Sequence, residues 1–403
     1  MLSPSTVQIV NATVPLLREK GVAITDYFYQ NLLSEHPELT SLFNMTHQAT
    51  GDQKQALASA VYAYAANHHK PEILAPVLNR IAHKHASLGI KSSQYTLVGK
   101  HLMCAIKQVL GGAVTAKVAS AWDEVYWQLA CDLVARESRL YEYQQTHPEM
   151  DFWQWMIIDD IVLESDGIKS FYLIPTPGKA LPTFQPGQYI SVKLQQGETP
   201  QEEKQQIRQY SLSNVPGQPY LRITVKKESA AIDSVKDGWL SSRLHTMVVG
   251  DQIQIGQPFG DFTDPDHHAP LVLISTGVGI TPMISLWLAR AKALSNIPVC
   301  FIHGSKRAED IPLLPDLMAA AAALEHGQMH LFAESASLPG LDTIPGRVDV
   351  SALSLPIDHG TQYMLCGGMD FMRSQRQALL ASGVDAANIR YEVFGPDLFA
   401  GLD

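Results

Sequence analysis

The chain has 403 residues, a formal net charge of −10 at pH 7 and a hydrophobic content of 46%. This length exceeds what one ordinary hydrophobic core spans, so two or three domains are expected. The acidic balance argues against a nucleic-acid-binding protein, whose surface would be basic. The four scattered cysteines include no Cys-x-x-Cys pair, which fits a reducing cytoplasm and argues against a disulfide framework.

The N-terminus has the pattern of a helix start rather than that of a signal peptide. Ser3 is placed to cap the helix, and Pro4 suits its first position. A signal peptide would begin with a basic segment followed by an uninterrupted apolar one. The most apolar segment, residues 269–290, is interrupted by glycines and a proline. We therefore expect a buried strand and helix there and no membrane span.

Residues 1–141 carry helical periodicity and almost no strand signal. In residues 73–90 apolar side chains recur at spacings of three and four, which is one stripe of a helix. Residues 95–110 and 116–140 show two further amphipathic patterns. An all-α domain is predicted over 1–141, and the polar segment 142–151 is predicted to be a linker.

The remainder divides into two segments that differ in pattern. Residues 152–264 contain short β-rich runs punctuated by Gly and Pro, which is typical of an antiparallel β-barrel. Residues 265–403 alternate strands and helices, which is typical of a doubly wound parallel α/β sheet. The predicted barrel strands are 155–162, 171–175, 189–194, 210–214, 221–226 and 252–256. The predicted parallel strands are 271–275, 299–303, 329–333, 363–366 and 389–393.

A glycine-rich turn follows the first predicted parallel strand. Its residues are Gly277, Val278, Gly279, Ile280, Thr281 and Pro282. Glycines allow a pyrophosphate to approach the backbone closely, and a helix N-terminus favours its negative charge. We expect Thr281 to cap the following helix and Pro282 to take its first position. A tight strand-to-helix turn without a ligand is the alternative interpretation.

The predicted barrel contains a polar strand that could hold a second ligand. Arg208, Gln209, Tyr210 and Ser211 follow one another, and strand alternation places Arg208 and Tyr210 on the same side. An Arg can clamp a phosphate with two hydrogen bonds, and a Tyr can lie against a flat ring. An ordinary sheet face with an exposed Arg is the alternative.

Residues 152–403 resemble the ferredoxin–NADP reductase superfamily. The motifs that carry the resemblance, in order, are Pro186-Gly187-Gln188-Tyr189, Arg208-x-Tyr210-Ser211, Gly238-x-x-Ser241, Gly277-x-Gly279-x-Thr281-Pro282 and Cys366-Gly367-Gly368. The resemblance implies that Tyr189 and the strand from Arg208 to Ser211 hold FAD. It also implies that the Gly238–Ser241 loop meets the FAD pyrophosphate, and that the turn from Gly277 binds a nicotinamide nucleotide.

Two details of the resemblance concern the C-terminal part. The segment Glu392-Val393-Phe394-Gly395-Pro396 resembles the aromatic segment that covers the flavin, with Phe394 as the shield. Many relatives have Cys-Gly-Pro where this chain has Cys366-Gly367-Gly368.

The basic residues Lys306 and Arg307 follow the second parallel strand, where they would meet a 2′-phosphate or simply be exposed loop charges. The sequence therefore leaves NADH and NADPH both open.

His85 is the candidate metal ligand of the helical domain. A histidine on an apolar stripe is usually a hydrogen-bonded core residue, but a single neutral imidazole in an apolar helical domain also suits haem. His68, His69 and His101 do not lie on such a stripe. No Cys–His or carboxylate–His cluster in the sequence suggests a zinc site.

The whole chain resembles the flavohaemoglobins, which are globin–reductase fusions. The residues that carry this resemblance in the helical part are Tyr29, Phe43, Gln53, Leu57, His85, Tyr95 and Glu137. It implies a haem b with His85 as its proximal iron ligand, and a second shell in which Tyr95 and Glu137 make that histidine more basic.

The resemblance also implies roles on the opposite haem face. Tyr29 would donate a hydrogen bond to dioxygen, Gln53 and Leu57 would line the same pocket, and Phe43 would pack on the haem. Lys84 and Glu392 resemble residues near the haem–flavin contact that tune redox potential.

The implied activity is that of a nitric oxide dioxygenase. Electrons from NADH or NADPH would pass through FAD to haem, where O₂ and NO are converted to nitrate. The alternatives are an oxygen-binding or oxygen-sensing globin with its own reductase, and a flavin reductase that serves a separate protein. The implied partners are small molecules. A monomer is expected because no coiled-coil seam is present, and the cysteine usage favours the cytoplasm.

Overall fold

In the computed structural model, the N-terminal part of the chain is helical, as predicted. The structure describes residues 2–43, 52–196, 204–228, 238–335, 338–355 and 360–395. The long helices of this part are α1 (Pro4–Glu35), α2 (Asp52–Asn67), α3 (Pro71–Ser87), α4 (Gln94–Leu110) and α5 (Ala116–Tyr143). Short 3₁₀ turns follow α1 and α4 at Pro37–Leu42 and Gly111–Ala113.

Helix α1 begins where the sequence predicts. The Ser3 side chain accepts a hydrogen bond from the Thr6 amide at 3.2 Å, and Pro4 takes the first position, where its missing N–H costs nothing. The inward stripe of α1 recurs every four or seven residues and is buried in one apolar cluster with α2 to α5. Its fully buried members include Val10, Leu17, Ile24, Phe28 and Leu32.

The end of α5 differs slightly from the expected position. The helix continues to Tyr143, so the first two residues of the predicted linker 142–151 are helical. Turns and bends occupy most of 144–151. The Tyr141 hydroxyl donates to the Ile90 carbonyl at 2.8 Å, which ties this last turn to the segment between α3 and α4.

The middle part forms the predicted antiparallel sheet. Its strands are β1 (Gln154–Ser165), β2 (Ile168–Pro175), β3 (Tyr189–Gln196), β4 (Lys204–Ser211), β5 (Leu221–Lys226) and β6 (Gln252–Ile255). Their order is β4-β3-β6-β1-β2-β5. An antiparallel bridge between Leu212 and Ile223 joins the chain just after β4 to β5, which closes the sheet towards a barrel. One short helix, α6 (Trp239–Thr246), precedes β6.

One predicted barrel strand was misplaced. The prediction put a strand at 210–214, whereas β4 ends at Ser211. The backbone leaves the ladder there because Asn214 closes a turn, with its side-chain oxygen accepting from the Arg222 amide at 2.9 Å.

The last part is the predicted parallel α/β sheet. Its strands are β7 (Leu271–Thr276), β8 (Val299–Arg307), β9 (Gly327–Ser335), β10 (Ile344–Pro345), β11 (Gln362–Cys366) and β12 (Ile389–Glu392). The helices are α7 (Ile280–Lys292), α8 (Leu314–Ala323) and α9 (Met369–Ala381). The two-residue strand β10 carries too little apolar pattern to be found from sequence.

The strand order of this sheet defines where a ligand would bind. The order β10-β9-β8-β7-β11-β12 reverses direction between β7 and β11. In open α/β sheets ligands bind beyond the carboxyl ends of the strands at such a reversal. The turns after β7 and β11 are therefore the positions that the fold offers to a nucleotide.

Packing divides the chain into two units. The first is Met1–Trp153 with Lys193–Arg208 and Gly395–Asp403, and the second is Gln154–Val192 with Gln209–Phe394. No helix within the described ranges combines the length and apolar character that crossing a bilayer demands.

A close helix contact provides a test of the helical fold. A Cβ on Gly99 of α4 would lie 2.5 Å from Tyr126 Cε1, and the Tyr126 hydroxyl donates to the Tyr95 carbonyl. We expect Gly99→Ala to reduce the free energy of unfolding of the helical part by about 1–3 kcal/mol, since the tyrosine must shift. Urea unfolding followed by far-ultraviolet circular dichroism measures it.

Gly112→Ala is the matched control, because no described atom outside its neighbours lies within 4 Å of a Cβ there. An equal loss of stability in both variants would contradict the role assigned to the Gly99–Tyr126 contact.

Candidate functional site

Three helices bring His85, Tyr95 and Glu137 into direct contact. His85 lies near the end of α3, Tyr95 at the start of α4 and Glu137 in α5. The His85 Nδ1 is 2.8 Å from Glu137 Oε1 and 2.9 Å from the Tyr95 oxygen. The Tyr95 hydroxyl donates to the same carboxylate oxygen at 2.5 Å. Sequence spacing alone does not predict this triad; the family resemblance does.

The hydrogen bonds fix which nitrogen of His85 is available. A carboxylate only accepts hydrogen bonds, so Nδ1 carries the proton and donates to Glu137. The Nε2 lone pair is left over, and this atom has no hydrogen-bond partner among the described residues. The side chain is 34% exposed, whereas the Glu137 side chain is 3% exposed. This donor set fits a haem iron, for which a neutral imidazole oriented by a carboxylate is a suitable ligand.

Burial keeps the tyrosine of the triad protonated. The pKa of Tyr95 is raised well above its usual range, first by burial and then by the negative charge of Glu137. The hydroxyl therefore remains a donor. Since Tyr126 also donates to the Tyr95 backbone carbonyl, the start of α4 is held in place beside the triad.

Tyr29 and Phe43 form a second contact in the same apolar cluster. Their rings meet edge to face with centroids 5.5 Å apart, and Phe28 packs against Tyr29 at 4.9 Å. Tyr29 is 6% exposed, and its hydroxyl has no hydrogen-bond partner among the described residues. Burial raises the Tyr29 pKa above its usual range. A hydroxyl on a largely buried ring, with no partner among the described residues, fits a pocket that receives a polar ligand atom.

Four further residues are predicted to act near the haem. Gln53 and Leu57 are predicted to line the pocket, and Lys84 and Glu392 to lie near the haem–flavin contact. Gln53 and Leu57 are one turn apart on α2 and partly buried, and Leu57 packs against the apolar cluster that contains Tyr29. Lys84 precedes His85 on α3 and is partly buried. Glu392 is the last residue of β12 and belongs to the second unit.

The residues predicted to bind the flavin, 208–211, form the C-terminal end of β4. The Arg208 guanidinium bonds the Ile207 carbonyl at 2.7 Å and Gln206 Oε1 at 3.3 Å. Gln209 Nε2 donates to Ser191 Oγ at 3.3 Å. The Ser211 hydroxyl is buried and has no partner among the described residues. A buried hydroxyl without a partner fits a site that receives a polar ligand atom. Tyr189 is buried at the start of β3 and Tyr210 is partly buried.

The hydroxyl of Ser241, in the loop predicted to meet the FAD pyrophosphate, makes two local hydrogen bonds. Ser241 Oγ accepts from the Glu228 amide at 3.1 Å and donates to the Gly238 carbonyl at 3.0 Å, so it holds the loop in shape. The next hydroxyl, Ser242, is buried without a partner among the described residues. Ser242 is thus a candidate that the sequence analysis missed, although the tandem Ser241-Ser242 was visible.

The turn after β7 needs its glycines for steric reasons. Gly277 has a φ of +54°, a left-handed conformation that favours glycine. A Cβ on Gly279 would lie 2.6 Å from the Cys366 carbonyl carbon, and one on Gly367 would lie 2.5 Å from Thr276 Oγ1. The turns after β7 and β11 therefore touch at the reversal of strand order, where a dinucleotide is expected.

The predicted capping of α7 is wrong. A 3₁₀ turn at Gly277–Gly279 leads directly into α7, whose N-cap is Gly279 and whose first residue is Ile280. Thr281 lies inside the first turn and donates to the Val278 carbonyl at 3.0 Å. Pro282 takes the third position, which it tolerates because the first four amides of a helix have no partner within the helix.

The structure describes only part of the C-terminal segment that is predicted to cover the flavin. Val393 and Phe394 follow β12, Phe394 is 47% exposed and Gly395 has a φ of +149°. Pro396 lies outside the described residues.

Comparisons with known proteins agree with this architecture. Family models match for globin over residues 26–133, for the oxidoreductase FAD-binding domain over 158–263 and for the oxidoreductase NAD-binding domain over 273–377. A flavohemoprotein of Rhizobium meliloti is 43% identical over 99% of this chain and 100% of its own length. One of Bordetella parapertussis is 40% identical, with 98% and 99% covered.

Solved structures give the same result. The flavohemoglobin of Malassezia yamatoensis, solved with bound FAD and heme, superimposes with a TM-score of 0.86 at 29% identity, covering 98% of this chain and 100% of that one. The FAD/NAD-binding domain of a Vibrio cholerae nitric oxide dioxygenase has a TM-score of 0.55 at 33% identity, covering 60% and 99%. The chain carries a globin, an FAD-binding and an NAD-binding oxidoreductase domain, and it belongs to the flavohaemoprotein family.

Proposed function

We propose that the protein is an NAD(P)H-dependent nitric oxide dioxygenase that detoxifies NO. The observation that carries the proposal is the His85–Tyr95–Glu137 contact, which leaves His85 Nε2 free to ligate iron. The same chain carries FAD- and NAD-binding oxidoreductase domains. When bound, FAD converts the two-electron hydride of the nicotinamide into single electrons, and haem supplies the iron at which O₂ and NO become nitrate.

On the His85 side, the protein's own residues hold a proton. Glu137 accepts the Nδ1 proton and so keeps the imidazole oriented and basic, which strengthens its donation through Nε2. Tyr95 donates to the same oxygen and limits the carboxylate to one position. Both residues act through His85 and are positioning residues.

On the Tyr29 side, a protonated phenol supplies a hydrogen bond. Its raised pKa keeps the donor intact over the working pH range. Gln53 and Leu57 would line this pocket, and Phe43 would pack on the haem face while holding the Tyr29 ring edge to face. Lys84 and Glu392 would adjust the redox potentials of haem and flavin.

In the reductase part, the residues bind phosphates and flat rings. Arg208, Ser211 and the loop from Gly238 with Ser241 and Ser242 would hold the FAD pyrophosphate, with Tyr189, Gln209 and Tyr210 against the flavin end. The turn from Gly277 through Val278, Gly279, Ile280 and Thr281 to Pro282 would accept the nucleotide pyrophosphate. Val393, Phe394, Gly395 and Pro396 would cover the flavin.

The surroundings of Arg307 favour NADH over NADPH. Its Nε and Nη2 each lie 2.8 Å from a carboxylate oxygen of Asp310, and Nη1 lies 3.0 Å from Glu309. A guanidinium that two carboxylates already neutralise offers little to a 2′-phosphate.

A cytoplasmic monomer is part of the proposal. The four cysteines are free, and Cys104 and Cys131 are exposed. Exposed thiols fit a reducing compartment.

The direct test of the proposal is NO consumption at an electrode. We expect purified protein loaded with haem and FAD to remove NO catalytically in aerated buffer with NADH, and to stop when O₂ or NADH is withheld. Removal of one NO per haem without turnover would instead favour an oxygen-binding or oxygen-sensing globin.

Tyr29→Phe tests the hydrogen bond to O₂. Losing a hydrogen bond worth about 1–3 kcal/mol should speed O₂ dissociation from the ferrous protein roughly ten- to hundredfold. Stopped-flow displacement of O₂ measures the rate. Tyr62→Phe, whose ring lies under Arg18 on the same domain, should leave it unchanged. An unaltered rate in Tyr29→Phe would remove this residue from the mechanism.

Arg208→Ala tests the placement of the FAD phosphate clamp. Loss of charge-assisted hydrogen bonds should weaken FAD binding by about ten- to hundredfold while haem stays bound, as judged by the flavin-to-haem ratio after gel filtration. Arg347→Ala removes an 85% exposed Arg and serves as the control. Full FAD retention in Arg208→Ala would count against the clamp.

A further inference from the structure

Two imidazoles and one carboxylate lie together where the end of α1 meets α4. Glu35 is the last residue of α1, His36 follows it, and His101 lies in α4. One potential ligand atom from each residue lies within 4.8 Å of the others. No pattern in the sequence indicates this cluster, because its two histidines lie 65 positions apart along the chain.

The histidine of α4 is buried with one nitrogen unused. The His101 side chain is 1% exposed, and Nε2 has no hydrogen-bond partner among the described residues. This atom lies 3.8 Å from Glu35 Oε2, too far for a hydrogen bond. A buried polar atom without a partner is costly, so a ligand at this point would remove an energetic penalty.

A chain of hydrogen bonds fixes the tautomer of His101. The Asn31 amide nitrogen donates to Glu35 Oε1 at 3.2 Å, which settles the orientation of that amide. The Asn31 oxygen then lies 2.7 Å from His101 Nδ1 and must accept from it. Nδ1 carries the proton, and the lone pair of Nε2 points to the cluster. Burial also lowers the pKa of His101.

We propose that Glu35, His36 and His101 bind a divalent transition-metal ion, for which Zn²⁺ is the best match. Two imidazoles and a carboxylate with one open position are a common zinc ligand set. Bonds of about 2.0–2.2 Å in a tetrahedron place ligand atoms about 3.3–3.6 Å apart, so the side chains need to close by up to about 1.5 Å. Lys100 Nζ donates to Glu35 Oε2 at 3.4 Å, and this largely exposed side chain would have to release that oxygen to the ion.

The hydrogen bonds already present resemble the outer shell of a metal site. Asn31 orients both His101 and Glu35, and Glu38 Oε1 lies 3.2 Å from His36 Nδ1, which leaves His36 Nε2 as its ligand atom. A bound ion would fasten the end of α1 to α4. Tyr29 and Tyr95 each lie six residues before a ligand on these helices, so the ion would stabilise the two helices that carry them.

The test is Zn²⁺ binding to the full-length holoprotein after exposure to a chelator that leaves haem in place. We expect one tightly bound Zn²⁺ per chain in competition with a chromogenic indicator, no binding of Mg²⁺ at the same concentration, and a higher Tm of the helical part with Zn²⁺. His36→Ala and Glu35→Gln should each weaken binding at least about tenfold and remove the Tm increase.

The control is His69→Ala, which removes an exposed ring that contacts His68 edge to face and should leave both readouts unchanged. Zinc-edge X-ray absorption should show two imidazole ligands in the wild type and one in His36→Ala. Absence of stoichiometric Zn²⁺ binding, or binding that survives both His36→Ala and Glu35→Gln, would overturn the proposal. Because none of these readouts depends on NO turnover, their failure leaves the proposed function untouched.

Discussion

The globin domain depends on one buried carboxylate. Glu137 is 2% exposed, and its Oε1 accepts from Tyr95 and from His85. Removing a carboxylate from water is costly unless hydrogen bonds compensate for it, so three helices have to meet in one arrangement. That arrangement decides which nitrogen of the imidazole is left to bind iron. The stability of the domain and the chemistry of its metal ligand therefore rest on the same contacts.

In the NAD-binding part of the chain, steric constraint takes the place that hydrogen bonds to a buried carboxylate have in the globin domain. At the reversal of strand order, the turns after β7 and β11 approach so closely that Gly279 and Gly367 leave no space for a side chain. Backbone is thereby exposed to a ligand at the carboxyl edge of the sheet. In the FAD-binding part, by contrast, the available groups are hydroxyls: Ser211 and Ser242 are buried and lack partners among the described residues. The nucleotide-binding part thus offers backbone groups to its ligand, and the FAD-binding part offers hydroxyl groups.

Local sequence patterns predicted the elements well where the pattern was long or bounded by clear signals. The helices from Pro4 and over 95–110, and the strand Leu221–Lys226, follow from spacing and capping residues. The misplaced strand at 210–214 and the capping role given to Thr281 share a cause. In each case a turn formed by neighbouring residues shifted an element boundary, and such turns depend on contacts rather than composition.

The candidate sites were less accessible from spacing. Tyr95 and Glu137 have the local pattern of a surface tyrosine and a helix-end glutamate, and only family resemblance suggested that they meet His85. The cluster of Glu35, His36 and His101 had no signal of either kind, because helix packing brings its members together. The hydroxyl of Ser241, which the resemblance places at the FAD pyrophosphate, makes two local hydrogen bonds, and the hydroxyl of Ser242 beside it has no partner among the described residues.

The proposed function requires that one chain carry electrons from a nicotinamide nucleotide to the iron held by His85. The most direct measurement is anaerobic addition of NADH to the protein loaded with haem and FAD, followed by absorption spectroscopy. We expect bleaching of the flavin band and a shift of the haem Soret band to its ferrous position in the same reaction, at a rate independent of protein concentration. Flavin reduction with haem left ferric, or a rate that rises with protein concentration, would contradict it.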